Sequence, residues 1–219
     1  FIKRETKGYN IAVQLRQDQH TIKSFADLVS PIARVKVNGL VKLYYTNSYK
    51  EYIDHFMNNL KKPLLAINPG GGGIKKKPLW PILRFIEVAH HFKKSHTIIF
   101  TGSKEEARLF EKNLRGIKAM SLMGKTSLNQ LAYLYEKCDL VLANDSGPMH
   151  IAAAMGTRTI GLFEKNPVRY TPFNKRSVAL YHEKNKLLSN QDYQGRMENL
   201  RKIPVQKVIA EINKLLEIS

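Results

Sequence analysis

The chain has 219 residues and is 43% hydrophobic, which is enough to bury the core of one large domain or two small ones. Its single cysteine, Cys138, excludes an internal disulfide and is typical of a reducing cytoplasm. The 36 lysines and arginines against 18 acidic residues give a net charge of +18, which favours anionic partners such as nucleic acid, an anionic membrane face or phosphorylated substrates.

The N-terminal quarter of the chain predicts isolated elements only. Residues 10–15 have the pattern of a strand, and residues 47–60 have the pattern of a helix. These elements are too few to close a sheet of their own. Residues 1–62 are therefore predicted to be one part of a larger domain.

From residue 63 onward, short apolar runs alternate with helical patterns. Pro81 stands at the start of one predicted helix, and Ser127 with Gln130 has the spacing of a capping box at the start of another. This β-α-β alternation predicts an α/β fold with a parallel sheet and helices on both of its faces. The predicted strands are LLAIN at 64–68, TIIF at 97–100, LVLA at 140–143 and TIGLF at 159–163, and the helices between them include ILRFIEVAHHF, KEEARLFEKNL and LNQLAYLYEKC.

The C-terminal part divides into an irregular segment and a final helix. Residues 164–203 are basic and rich in Asn, Tyr and Pro, and they carry no clear periodicity. Pro204 opens an amphipathic helix whose apolar residues repeat at helical spacing. The expected division is therefore 1–62, a 63–203 domain and a 204–219 helix.

The stretch NDSGPMHIAAAMG at 144–156 places a polar cluster before a helix of small residues. In a wound parallel sheet, ligands bind beyond the carboxyl ends of the strands, where such helices begin. Ser146 or Asp145 is predicted to cap this helix, and Gly147 allows a ligand to approach the backbone closely. The helix N-terminus then attracts an anion, and the three alanines at 152–154 let the helix pack tightly on the sheet.

Longer motifs resemble one known family. NDSGPMHIAAAMGTRTIGLF closely resembles the signature of the bacterial heptosyltransferases, glycosyltransferase family 9, which add heptose to the lipopolysaccharide core. Three further segments occur in the family's order: INPGGGG with the following lysines and Trp80, then TGSKEE, and then MGKTSLNQLAYLYEKCDLVLAND. The resemblance is good over residues 63–163, and residues 1–62 resemble the end of the family's acceptor-binding domain.

The resemblance implies a GT-B fold of two Rossmann-like domains, with the N-terminal one only partly present. It implies a nucleotide-sugar donor, ADP-heptose, and a phosphorylated lipopolysaccharide core as acceptor. In the family, the phosphate-binding lysine stands one or two residues before the tryptophan, whereas Lys77 stands three residues before Trp80. Lys77 is therefore the expected residue, and Lys76 and Lys75 are the alternatives. EKNP at 164–167 departs from the family's usual turn. The implied substrate-binding residues are Asp145, Ser146, Gly147, His150, Thr126, Lys77 and Glu105, with Glu106 as the alternative to Glu105.

The implied reaction is displacement at the anomeric carbon with inversion, in which a carboxylate deprotonates the acceptor hydroxyl. The family's base is an Asp near the first strand of the N-terminal domain, and Asp18 and Asp27 come too late in the pattern to match it. The catalytic residue is therefore unknown, and we expect that the chain lacks the front of the acceptor domain and is inactive as a fragment. No Asp-x-Asp pair indicates a metal site, so neither metal nor cofactor is expected.

Other functional classes fit the sequence less well. A dinucleotide oxidoreductase needs G-x-G-x-x-G and a P-loop enzyme needs Gly-Lys-Ser/Thr, whereas GGGGIKKK at 70–77 supplies neither. The alternative is a basic nucleic-acid-binding domain without activity, but no dense basic helix supports it. We therefore expect no nucleic-acid partner. No run reaches the roughly 20 apolar residues of a membrane span. The basic charge suits the anionic inner membrane, so we expect a cytoplasmic enzyme that is peripheral to this membrane.

Overall fold

The computed structural model describes residues 18–31, 43–71, 78–182 and 193–217. Its contacts divide the chain into two compact units, Phe1–Gly39 with Pro167–Thr171, and Leu40–Asn166 with Pro172–Ser219. The strand predicted at residues 10–15 lies outside the described residues. The division predicted from the sequence, with boundaries after residues 62 and 203, stays a prediction.

The smaller unit contains helix α1 (Thr21–Val29), which the sequence did not predict. His20 caps it, because its Nδ1 accepts a hydrogen bond from the Ile22 N–H at 3.2 Å. The opposite ring nitrogen, Nε2, donates to the Thr171 carbonyl oxygen at 3.0 Å. The imidazole therefore joins the start of α1 to the 167–171 segment of the same unit.

The larger unit is built on six parallel strands in the order β3-β2-β1-β4-β5-β6. The α/β fold with a parallel sheet is thereby confirmed. The strands are β1 (Leu64–Asn68), β2 (Thr97–Phe100), β3 (Met120–Ser121), β4 (Leu140–Asn144), β5 (Arg158–Leu162) and β6 (Ser177–Leu180). The helices are α2 (Asn47–Met57), α3 (Ile82–Phe92), α4 (Lys104–Leu114), α5 (Leu128–Lys137), α6 (Gly147–Ala154), α7 (Tyr193–Arg201) and α8 (Val205–Glu217).

Helices cover both faces of this sheet, as the alternation predicted. On one face, Leu65 and Ile67 of β1 share a core with side chains of α3 and α8. On the other face, Leu64 and Ala66 share a core with side chains of α2 and α5. Every residue of β1 and β4 is buried, which is why these strands are continuously apolar apart from the asparagine that ends each one.

Three elements of the larger unit correct the predictions. The segment 164–203, predicted to be irregular, contains strand β6 and helix α7. Strand β3 has two residues, too few for any periodic signal. Helix α7 includes a glycine and several polar residues, so its sequence lacks an apolar stripe.

Cys138 follows α5 and is buried at the start of the turn into β4. Burial, with a smaller contribution from the charge of Asp139, raises the pKa of its thiol from 9.0 to about 12. We expect a thiol reagent at about pH 8 to label the chain only as fast as it unfolds, because the thiolate is the reactive form. Folding stability should also fall as pH rises through 9, since the unfolded thiol ionises there and the folded one does not.

Both effects can be measured on one cysteine without ambiguity, because the chain has no other. Labelling is followed with and without urea, and the alkaline loss of stability is compared with that of Cys138→Ala. Rapid labelling of the folded chain would contradict this account of the thiol.

Candidate functional site

The sheet changes winding direction between β1 and β4. The chain leaves β1 toward β2 on one side and leaves β4 toward β5 on the other, so the loops after these two strands diverge. Crevices of this kind, at the carboxyl ends of the strands, are where open α/β sheets bind ligands. Here the crevice lies beyond Asn68 of β1 and Asn144 of β4.

Helix α6 begins at this crevice. Ser146 holds its N-cap position, but the serine side chain makes no capping hydrogen bond. Its Oγ instead donates to the Asn144 carbonyl oxygen at 3.0 Å, so the predicted capping by the Ser146 side chain is wrong. The serine hydroxyl therefore does not occupy the first N–H groups of the helix, which are the groups that bind anions.

The small residues of α6 bring it close to the sheet, as predicted. Ala152 and Ala153 are buried, and Ala154 is half-buried. A Cβ on Gly161 of β5 would lie 2.4 Å from the sulfur of Met149, so the strand has no room for a larger side chain beneath the helix. Gly147 differs, because a Cβ there would meet nothing within 4 Å. The start of α6 is therefore open to solvent while its body is tightly packed.

Of the two acidic candidates beyond β2, Glu105 is exposed and Glu106 is buried. The Glu106 carboxylate accepts hydrogen bonds from the Gly71 N–H at 2.9 Å and the Ser103 N–H at 2.8 Å. Glu106 thus completes the capping box of α4 and holds Gly71 in the segment after β1. The pKa of Glu105 is lowered by hydrogen bonds from its own backbone N–H and from the Ser103 side chain, so it is ionised at neutral pH.

Thr126 is half-buried and lies in the turn beyond β3. This turn is fixed by the Gly124 N–H, which donates to the Gly102 carbonyl oxygen at 2.8 Å, and Gly124 adopts a positive φ of 70°. The next residue, Ser127, forms the predicted capping box with Gln130 at the start of α5. The turn carrying Thr126 is therefore held against the turn after β2.

The structure brings the described candidates to one edge of the sheet. Thr126 follows β3, Glu105 follows β2, and Asp145, Ser146, Gly147 and His150 follow β4. Strands β3 and β4 are three positions apart in the sheet, so at about 4.8 Å per position they lie roughly 14 Å apart. This edge suits an extended ligand with an anionic part at α6. Lys77, with its alternatives Lys75 and Lys76, lies outside the described residues.

Sequence reasoning missed two features of this edge. Glu164, in the segment that follows β5, forms an ion pair with Arg196 of α7, with Oε2 and Nε 2.8 Å apart and both side chains largely buried. No periodicity marked α7, so nothing in the sequence connected these two residues. The second feature is Asn144, whose buried side chain donates to the Pro69 carbonyl oxygen after β1. Asn144 belongs to the motif at 144–156, but the sequence predicts no role for it.

Among the described residues, no group of three His, Cys, Asp or Glu side chains is placed to hold a metal ion. The expectation that the protein uses neither metal nor cofactor stays a prediction. Within the same part of the chain, none of the helices combines the length and the apolar character that crossing a bilayer requires.

Comparisons with known proteins are consistent with one family. The model of glycosyltransferase family 9 (heptosyltransferase) matches residues 5–201. The lipopolysaccharide core heptosyltransferase OpsX of Haemophilus influenzae is 34% identical over 172 residues, which cover 75% of this chain and 49% of OpsX. The chain thus spans about half the length of curated relatives such as this one.

Solved structures match the fold. A glycosyltransferase family 9 protein from Veillonella parvula superposes with a TM-score of 0.77 at 21% identity, covering 95% of this chain and 63% of that one. The E. coli heptosyltransferase WaaC with ADP gives a TM-score of 0.67 at 16% identity, covering 94% of this chain and 60% of WaaC. These matches confirm the predicted GT-B type of fold.

Proposed function

The chain belongs to glycosyltransferase family 9, the heptosyltransferases, and from this premise we propose that it is the donor-binding part of an enzyme that transfers heptose from ADP-heptose to the lipopolysaccharide inner core. Its relatives include lipopolysaccharide core heptosyltransferases, and one solved structure with this fold was determined with ADP. The observation that carries the proposal is the open start of α6 at the crevice between β1 and β4. The alternative, a nucleic-acid-binding domain, has no support in these comparisons.

The donor's diphosphate would bind at the start of α6. Ser146 and Gly147 are the first residues there, and the positive end of the helix dipole favours an anion by about 0.3–1 kcal/mol, or up to about 2 kcal/mol when partly buried. Asp145 and His150 would line the same pocket, and Lys77 would add a positive charge to the phosphates. Thr126 and Glu105 would meet the nucleoside, Glu105 as an acceptor for ribose hydroxyls.

In the proposed reaction, the acceptor oxygen attacks the anomeric carbon while the bond from that carbon to the diphosphate oxygen breaks. The acceptor proton passes to a carboxylate base, and the configuration at the carbon inverts. The charge that develops on the diphosphate is stabilised by the first turn of α6. We do not assign the base to Asp18 or Asp27.

The acceptor and the location of the enzyme follow from the same proposal. A phosphorylated lipopolysaccharide core is an anionic substrate, and a net charge of +18 favours association with it. The anionic face of the inner membrane would attract the same lysine and arginine side chains, so we propose a cytoplasmic enzyme that is peripheral to this membrane.

Nucleotide binding by the chain tests the donor site, with Gly147→Ala as the most selective variant. A Cβ at Gly147 meets nothing within 4 Å, so the change should alter the free energy of unfolding by no more than about 1 kcal/mol. The methyl group would nevertheless stand where the diphosphate approaches the backbone. We expect ADP affinity to fall about tenfold or more, an effect of about 1.4 kcal/mol.

Calorimetry with ADP, UDP and GDP makes this measurement, and Asp145→Ala is expected to weaken ADP binding as well. Gln206→Ala, on the exposed face of α8, serves as the control and should bind ADP as the unmodified chain does. If ADP gives no heat with the unmodified chain, or if both site variants bind it normally, the assignment of the donor site is wrong.

A further inference from the structure

Asn144, the last residue of β4, holds both ends of the glycine loop. Its side chain is 2% exposed. The Nδ2 group donates to the Pro69 carbonyl oxygen at 2.8 Å, and Oδ1 accepts from the Trp80 N–H at 3.0 Å. Pro69 directly follows β1, and Trp80 stands just before α3. One amide thus closes the segment 69–80, which we call the glycine loop, at both of its ends.

The same residue also contacts the start of α6. Its backbone carbonyl oxygen accepts the hydrogen bond from Ser146 Oγ at 3.0 Å. Asn144 therefore joins the two structures that would surround a diphosphate, namely the glycine loop through its side chain and the N-cap of α6 through its backbone. The Glu106 carboxylate makes a further contact with the loop, because it accepts a hydrogen bond from the Gly71 N–H.

We propose that Asn144 is a positioning residue, which holds Pro69 and Trp80, the two ends of the glycine loop, beside the start of α6 without contacting the ligand itself. The effect on nucleotide binding rests on the donor-site function proposed above. An amide suits this role because it offers a donor and an acceptor on neighbouring atoms while remaining uncharged. Its burial means that a lost hydrogen bond cannot be replaced easily by water.

Asn144→Asp tests this role through pH. At about pH 8 the carboxylate can still accept from the Trp80 N–H, but it repels the Pro69 carbonyl oxygen. At about pH 5 the neutral acid can donate to that oxygen and restore both contacts. Burial raises the pKa of a carboxyl group, so this aspartate is expected to take up its proton well above the usual range of the residue.

Two readouts are available. Trp80 is the only tryptophan of the chain, so intrinsic fluorescence reports on the end of the glycine loop directly. ADP affinity, measured by calorimetry, reports on the donor site. For Asn144→Asp relative to the unmodified chain, we expect altered Trp80 emission and about tenfold weaker ADP binding at about pH 8, with both differences largely removed at about pH 5.

Asn174→Asp is a matched control. Asn174 makes the same kind of contacts, because its Nδ2 donates to the carbonyl oxygens of Ala153 and Thr157 at 3.2 and 3.3 Å, and its Oδ1 accepts from the Arg176 N–H at 2.8 Å. These contacts lie at the opposite edge of the sheet from the crevice. The control should lose stability while keeping normal Trp80 emission and normal ADP affinity.

The outcomes separate the two proposals. If Asn144→Asp matches the unmodified chain at about pH 8, or if its defects persist at about pH 5, the positioning role is refuted. If the unmodified chain does not bind ADP but the variant still changes Trp80 emission reversibly with pH, the donor-site function fails and the role in positioning the loop stands. Should the aspartate variant fold poorly, Asn144→Ala should alter the emission without pH dependence, and normal emission would refute the role.

Discussion

Trp80→Ala is expected to lower the free energy of unfolding by about 3–5 kcal/mol, the usual cost of truncating a buried tryptophan. The side chain is 1% exposed and belongs to the core shared with α3 and α8. Its ring packs edge-on against Phe85, with centroids 4.9 Å apart, and its Nε1 donates to the Ile203 carbonyl oxygen at 3.1 Å. Urea unfolding followed by far-ultraviolet circular dichroism measures the loss, since the variant has no tryptophan fluorescence.

Trp80→Phe separates packing from hydrogen bonding at this position. The Ile203 carbonyl oxygen also accepts from Arg84 Nη1 at 2.8 Å, so it keeps a donor when the indole is lost. We expect this variant to cost only about 1–2 kcal/mol. Adding Arg84→Ala removes the second donor, and the double variant should lose more than the sum of the single changes. A cost below about 1 kcal/mol for Trp80→Ala would show that the core does not depend on this ring.

Gly70→Ala is expected to lower the free energy of unfolding by about 3 kcal/mol and to weaken nucleotide binding. An added Cβ would lie 2.0 Å from the Glu106 carboxyl carbon and from Oε1. The carboxylate would have to leave its place, and the N–H groups of Gly71 and Ser103 would lose their acceptor. Gly71 is half-buried, and a donor that loses its acceptor away from water costs about 1–3 kcal/mol.

A double-mutant cycle with Glu106→Ala identifies the cause. Removing the carboxylate alone should destabilise the chain by a similar amount, but it also removes the clash, so the double variant should be little worse than either single one. Additive losses would mean that the glycine is required for another reason. Gly147→Ala provides the contrast, because that glycine has open space around it, and its replacement should weaken ligand binding while changing the free energy of unfolding by no more than about 1 kcal/mol.

Most of the local structure of the larger unit was predictable. The runs at 64–68 and 97–100 are strands with the predicted bounds, and the helices at 104–114 and 128–137 begin directly after Ser103 and Ser127. These signals are local, because an apolar run, a proline or a capping box acts on residues within a few positions. Helix α7 and strands β3 and β6 lacked such signals, and they form because the rest of the sheet and its core supply their partners.

The candidate site was predictable in its location but not in its contacts. The motif at 144–156 indicated the carboxyl edge of a parallel sheet, and the structure gathers the described candidates there. The sequence left Glu105 and Glu106 as alternatives, and it could not show that Glu105 is exposed while Glu106 is buried. The capping expected of the Ser146 side chain failed because its hydroxyl donates to the carbonyl oxygen of Asn144.

By itself, therefore, the sequence determined the fold class and the family, and it indicated that the candidate residues follow the carboxyl ends of the strands. The tertiary structure alone decided the order of the strands and the partners of the buried polar side chains. Asn144 contacts Pro69 and Trp80, which precede it by 75 and 64 residues, and no local pattern can encode a hydrogen bond over that separation. Such contacts exist only once the folded sheet has brought its strand ends together.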